Sequence, residues 1–206
     1  MSQTIQGKHL PQLRQFKSVF DQWIETNIRV AKSWFPYVPW WYNERALLSF
    51  FAGSVWRANA VALEEFSTEK RYSKEAKSNS PYAGRQDLYI EIGRHMFICE
   101  AKVCWSGMTL AKMQPSAHID EMLDKACSDV RKVRAFDGER RLGILFARPY
   151  IRVAKSEFME ERIGTWLREI REVEYSCCAW VFPAKGRYAE GGPDLLPGVA
   201  VFMREV

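Results

Sequence analysis

Asp87, Glu100 and Lys102 are the residues of this chain best suited to do chemistry together. Glu100 and Lys102 lie inside the apolar run HMFICEAKVCW (95–105), where a charged pair is expensive to bury. Their spacing of two places both side chains on one face of a strand. The preceding run, RQDLYIEI (85–92), is separated from it by Gly93-Arg94 alone, and glycine followed by any residue suits a two-residue type II′ hairpin turn. With those two residues as the turn, Ile92 faces His95, Glu91 faces Met96, Leu88 faces Cys99 and Asp87 faces Glu100. Directly opposed Cβ atoms lie ~4.5–5.5 Å apart, so the register predicts two carboxylates side by side with Lys102 on their face. Like charges so close repel, and burial raises a carboxyl pKa further. A divalent cation shared by both carboxylates removes the conflict. Magnesium prefers hard oxygen ligands and keeps several waters, and a neighbouring lysine can hold such a water or balance phosphate charge. This is equipment for metal-assisted phosphodiester hydrolysis.

The elements that must position these residues are readable from periodicity. Leu13, Phe16, Phe20, Trp23, Ile24, Ile28, Ala31 and Trp34 predict an amphipathic helix over 11–35, ending before Pro36. The connector FPYVPWWY (35–42) is rigid and aromatic; its rings could stack on bases, but packing is the expected role. Asn43 is a good N-cap for a second helix to about Asn59, with Leu47, Leu48, Phe51, Val55 and Trp56 as its stripe. Glu44 heads that stripe, facing either the helix dipole or the sheet. Residues 60–66 read as a strand or as the tail of that helix, and 67–84 as a polar loop. A helix over 115–136, a buried strand over 141–147, a helix over 156–172 and strands over 176–184 and 198–204 follow, with a Gly- and Pro-rich, mobile loop between the last two. The alternation predicts an α/β fold with a mixed sheet. The length suits one domain over 1–206: an N-terminal helix and connector (1–42), a core (43–147) and a C-terminal helix with strands (148–206).

Composition narrows the class. A hydrophobic fraction of 47% supports a packed core and argues against disorder. Five scattered cysteines, with no C-x-x-C pair, fit buried thiols in a reducing compartment better than zinc or a disulfide framework. Neither a signal-peptide pattern nor a run long enough to span a bilayer occurs, so a soluble, cytoplasmic protein is expected. The formal charge is +5, and residues 131–155 alone carry eight basic side chains against Asp137 and Glu139, a net +6. That distribution is compatible with nucleic acid.

Asp87, twelve residues and then Glu100-Ala101-Lys102 resembles the motif of the PD-(D/E)xK nuclease superfamily, whose members include restriction and repair nucleases. The resemblance covers about residues 43–147 and implies a restriction-endonuclease-like αβββαβ core with a mixed central sheet flanked by helices, extended here by an N-terminal helix and C-terminal strands. It implies that Asp87 and Glu100 ligate Mg²⁺, for which Mn²⁺ can substitute, with the Ala101 carbonyl as a further ligand. Lys102 then assists the attacking water, and Glu44 matches the acidic residue many members carry on the preceding helix. DNA is the expected substrate, with RNA and a homodimer left open. Arg85, Lys112, Arg131 and Arg134 are candidate phosphate contacts. The chain departs from the pattern in having Gln86 where the family's proline stands, and in lacking an obvious later glutamine. Two decoys are set aside: Glu75-Ala76-Lys77 lies in a polar stretch without a partner carboxylate, and Pro193-Asp194 is followed by a strand with no E-x-K. The alternative is a catalytically silent nuclease-fold module that binds nucleic acid or a protein partner.

Overall fold

The computed structural model describes residues 3–70, 82–108 and 114–206. Lys112 and the decoy Glu75-Ala76-Lys77 lie outside the described residues. The elements run β1 (Ile5–His9), α1 (Lys17–Trp34), α2 (Glu44–Arg57), β2 (Val61–Lys70), β3 (Tyr82–Ile92), β4 (His95–Gly107), α3 (Pro115–Lys132), β5 (Glu139–Arg152), α4 (Met159–Glu169), β6 (Cys177–Phe182), β7 (Glu190–Gly191), β8 (Asp194–Leu195) and β9 (Val199–Glu205). This is an α/β fold with a mixed central sheet flanked by helices. The strands lie in the order β1-β6-β9-β5-β4-β3-β2, with the short β7–β8 hairpin attached at the end of β5. Among the described residues only β4 and β5 pair in parallel; the other neighbours are antiparallel. The crossover between the parallel strands is α3, as a parallel pair requires.

The sheet is buried on both sides. Phe97, Cys99 and Ala101 of β4 and Leu142, Ile144 and Phe146 of β5 pack with α1 and α2. Ile98 of β4 meets Val130 of α3 and the neighbouring Val133, while Cys104 and Leu145 pack with Ile119, Leu123 and Trp166 on the same side. Cys99 is therefore a core residue on the face away from Glu100, as its position in the strand predicts. Phe51 ties α2 to both partners, with ring centroids 6.5 Å from Phe20 and 6.0 Å from Phe146. Truncating such a side chain to alanine typically costs about 3–5 kcal/mol.

The structure departs from the sequence reading in several places. Of the two readings left open for residues 60–66, the strand holds from Val61, but β2 and β3 extend into the stretch expected to be a loop, to Lys70 and from Tyr82. Helix α1 starts at Lys17, after a single 3₁₀ turn at Arg14–Phe16. Helix α3 stops at Lys132, because Val133 is extended and bridges to Lys70. Strand β5 is twice as long as the apolar run that announced it. Strand β1 escaped prediction because IQGKH lacks apolar alternation; it pairs with β6, where Gly7 leaves room for the Trp180 ring. The loop after β6 carries β7 and β8 and is anchored by Trp40 Nε1, which donates to the Leu196 carbonyl at 2.7 Å. The aromatic connector is not mainly packing surface: Val38 and Trp40 are buried, whereas Phe35, Tyr37, Trp41 and Tyr42 are exposed. All five cysteines are free and buried. Among the described residues no helix is long and apolar enough to cross a membrane.

Candidate active site

The β3–β4 hairpin has the expected turn. Gly93 takes φ +60° and Arg94 does not adopt a positive φ, the pattern of type II′ rather than I′. The ladder follows the predicted register from Ile92↔His95 to Leu88↔Cys99 and then stops. Asp87 and Glu100 are therefore not a ladder pair, contrary to the sequence reading. The β2–β3 ladder also skips Asp87: it passes from Glu64↔Leu88 to Phe66↔Gln86. Within β3, Asp87 alone has no ladder partner on either side. Its side chain makes the connection to β4 instead, with Oδ2 accepting the Ala101 N–H at 2.8 Å. The strands part at this point, and a carboxylate stands in the opening.

Glu44 reaches the opening from α2. Asn43 caps that helix, its Oδ1 accepting the Ala46 N–H at 3.0 Å, which fixes Glu44 in the first turn. The Glu44 carboxylate lies against the Val103 N–H and within electrostatic reach of Lys102, Asp87 and Arg148. Glu44 and Asp87 line one cleft of about 280 Å³ with Asn43, Arg45, Leu48 and Glu65. The four residues singled out from sequence thus converge.

Their electrostatics are those of crowded acids. Burial pushes the Glu100 carboxyl up to about 7; the hydrogen bond from Lys70 opposes this, and the nearby Asp87 charge adds to it. Burial also raises Glu44, with Lys102 pulling it down and Asp87 pushing it up. For Lys102, burial disfavours the ammonium, but Asp129, Glu44 and Asp87 outweigh it and hold its pKa above the usual value.

Two ion-pair partners of these residues, Lys70 and Asp129, were not anticipated. Lys70 Nζ donates to Glu100 Oε1 at 2.6 Å. Lys102 Nζ pairs with Asp129 Oδ2 of α3 at 2.9 Å. Lys70 reaches Glu100 through a parity change in β2. Ala62 and Glu64 face α2, Glu64 accepting from Ser49 at 2.7 Å. Glu65 then takes φ +49°, a left-handed conformation rare outside glycine. Beyond it Phe66 meets Tyr89 edge-on and Lys70 meets Glu100, both on the α3 face. Asp129 left only a faint sequence signal, an acid immediately before the core residue Val130.

The basic candidates are scattered. Arg85 bonds Glu65 at 2.9 Å, and Glu65 also pairs with Arg45. Arg131 is exposed in the last turn of α3. Arg134 stacks over Phe136 at 5.6 Å. Much of the basic stretch is engaged internally, as in Lys132 with Asp129 and Arg140 with Glu205.

Among the described residues no three Asp, Glu, His or Cys side chains already surround a cation position. The donors nevertheless suit a hard divalent ion. They are carboxylate oxygens; burial raises the pKa of Glu44 and Glu100, and the Asp87 charge adds to it in both. Comparison of the chain with protein-family models, with curated proteins and with solved structures finds no match.

Proposed function

We propose that the chain is a divalent-metal-dependent nuclease of the PD-(D/E)xK kind, hydrolysing DNA phosphodiester bonds. The succession α2, β2, β3, β4, α3, β5 supports the restriction-endonuclease-like αβββαβ reading. The observation that carries the proposal is the opening at Asp87, where β3 parts from β4 and drops one pair with β2, and its carboxylate lies within electrostatic reach of Glu100, Lys102 and Glu44. Asp87 and Glu100 would hold Mg²⁺ or Mn²⁺, with Glu44 and the Ala101 carbonyl beside it. When bound, such an ion polarises the phosphate and makes water a better nucleophile at neutral pH. Lys102, whose pKa is raised, stays an ammonium. It therefore acts by orienting water or balancing phosphate charge, not by taking a proton. Asp129 fixes its direction.

The test is cleavage of plasmid, linear and single-stranded DNA, and of RNA, with Mg²⁺ or Mn²⁺. Activity must vanish in Asp87→Asn and Lys102→Ala; cleavage that survives both sinks the assignment. One observation favours the alternative of a silent binding module: a lysine, Lys70, already occupies Glu100. Calorimetry separates the two. Absence of Mn²⁺ uptake with nucleic-acid binding intact selects the silent module.

A further inference from the structure

The parallel strands β4 and β5 run side by side to Gly107 and Tyr150, and near these ends they carry aromatic and cationic side chains. Ligands of open α/β sheets gather beyond the carboxyl ends of parallel strands. Trp105 and Arg148 are cross-strand neighbours there. The Arg148 guanidinium lies 3.8 Å from the centroid of the Trp105 ring, and Tyr150 meets the same ring edge-on. Arg148 is itself nearly buried and fixed, its Nη1 donating to the Tyr42 carbonyl at 2.7 Å. The indole is thus clamped on one face, yet 45% of Trp105 remains exposed. A cavity of about 340 Å³ adjoins it, walled by Trp105, Tyr150, Arg152, Asp194 and Leu196. Its polar wall is a donor and an acceptor, Arg152 and Asp194, 3.4 Å apart.

This platform is joined to the acidic cleft along two segments. Val103, which holds Glu44, lies two residues before Trp105 on β4. Tyr42, which holds Arg148, lies two residues before Glu44. Two residues of strand span only ~7 Å, so a ligand in the cleft and a ring on the platform are within one strand's reach of each other.

We propose that this platform takes an unpaired nucleobase. Trp105 stacks on the base, Arg152 and Asp194 meet its polar edge, and the adjoining phosphate lies in the acidic cleft. The proposal rests on the nuclease reading of that cleft and narrows its substrate class to single-stranded or locally unpaired nucleic acid. A duplex cannot use the platform, because its base faces are already stacked on one another. Any base can, because every base has a π-face.

The test is fluorescence anisotropy of a labelled single strand and of the matching duplex, with Mg²⁺, in the cleavage-silenced Asp87→Asn chain. Trp105→Ala should weaken single-strand binding roughly 5- to 150-fold, the range for loss of one base–aromatic stack. Trp105→Tyr should restore most of it, which also guards against a misfolded alanine variant. Trp56→Ala, at an exposed tryptophan on α2, should change nothing. An abasic nucleotide scanned along the strand should reproduce the Trp105→Ala loss at one position. Equal losses at Trp56 and Trp105, no loss at Trp105, or an equal loss with duplex would each overturn the proposal. Absence of cleavage by the wild-type chain, with Trp105-dependent binding intact, would remove the nuclease reading and leave the base site standing. Cleavage indifferent to Trp105 would do the reverse.

Discussion

Around Arg204 of β9, opposite charges alternate. Its guanidinium pairs with Asp120 at 2.7 Å and with Asp124, and its Nε donates to the Glu174 carbonyl at 2.8 Å. Around Asp87, acids crowd together: the Asp87 charge pushes up both Glu44 and Glu100, although Lys70 bonds Glu100 and Lys102 lies within electrostatic reach of both. The first cluster ties α3 and the segment before β6 to the sheet, and its charges are matched within the protein. The second crowds acids at the point where the ladder breaks. A fold has no need of such crowding, and burial without full pairing works against stability. The difference separates charge that holds the structure from charge held in place by the structure.

The sharpest way to break this contrast is Asp87→Asn. The amide oxygen can still accept the Ala101 N–H, while the like charge facing Glu100 disappears. Cleavage should fall roughly 10³-fold, taking several kcal/mol of transition-state stabilisation at about 1.36 kcal/mol per decade. The melting temperature should hold or rise. A variant that melts early and still cleaves would reverse the roles assigned to the two clusters.

Glu100 gives the next largest effect, through pH. Its folded-state pKa of about 7 exceeds the ordinary 4.5. Between those values the folded chain keeps a proton that the unfolded chain has released. Stability from this group is therefore greatest below about pH 4.5 and declines as pH rises to about 7, by roughly 3 kcal/mol. Glu100→Gln has no proton to lose, so its stability relative to the wild type should improve across that window. Urea denaturation at pH 5 and pH 8 measures this; an unchanged difference between the two chains at both pH values would show that Glu100 is not held protonated.

The limits of sequence reading follow from the same geometry. The β3–β4 hairpin was legible because its register depends on local information, a two-residue turn and strict alternation. The end of its ladder was not, because Asp87 is detached on both sides by β2 and β4 together. Lys70 was missed because residues 67–84 read as a polar loop; alternation carried on from Ala62 would have misplaced it as well, since the left-handed Glu65 reverses the parity and Lys70 reaches Glu100 on the α3 face. Asp129 comes from a helix more than twenty residues away, and no spacing rule connects it to Lys102. Trp40 and Trp41 are adjacent in composition and in sequence, yet one is buried and the other exposed, because a 3₁₀ turn points them apart.

The Arg204 cluster should respond in the opposite sense to Asp87. Arg204→Ala removes three partners at once and leaves Asp120, which is only partly exposed, without its cation. Stability should fall by about 2 kcal/mol. Cleavage per folded molecule should be unchanged, because Asp120, Asp124 and Glu174, which Arg204 binds, do not line the cleft; kcat measured well below the melting temperature is the check.

The smallest effect joins the two kinds of role in one residue. Asn43 caps α2 and thereby holds the first turn that carries Glu44. Asn43→Ala should cost about 1 kcal/mol of stability, whereas Asn43→Ser or Asn43→Asp, which also cap, should cost far less. If Glu44 acts only as a first-turn acid favoured by the helix dipole, alanine should lower stability and leave the rate alone. If Glu44 is positioned for the chemistry, fraying of that turn should also lower kcat at temperatures where the chain is fully folded, and serine should restore both. Glu44→Gln then separates the contributions: it keeps the cap and the contact with the Val103 N–H but removes the charge, so a loss of rate without loss of stability assigns Glu44 to the Asp87 cluster rather than to the helix.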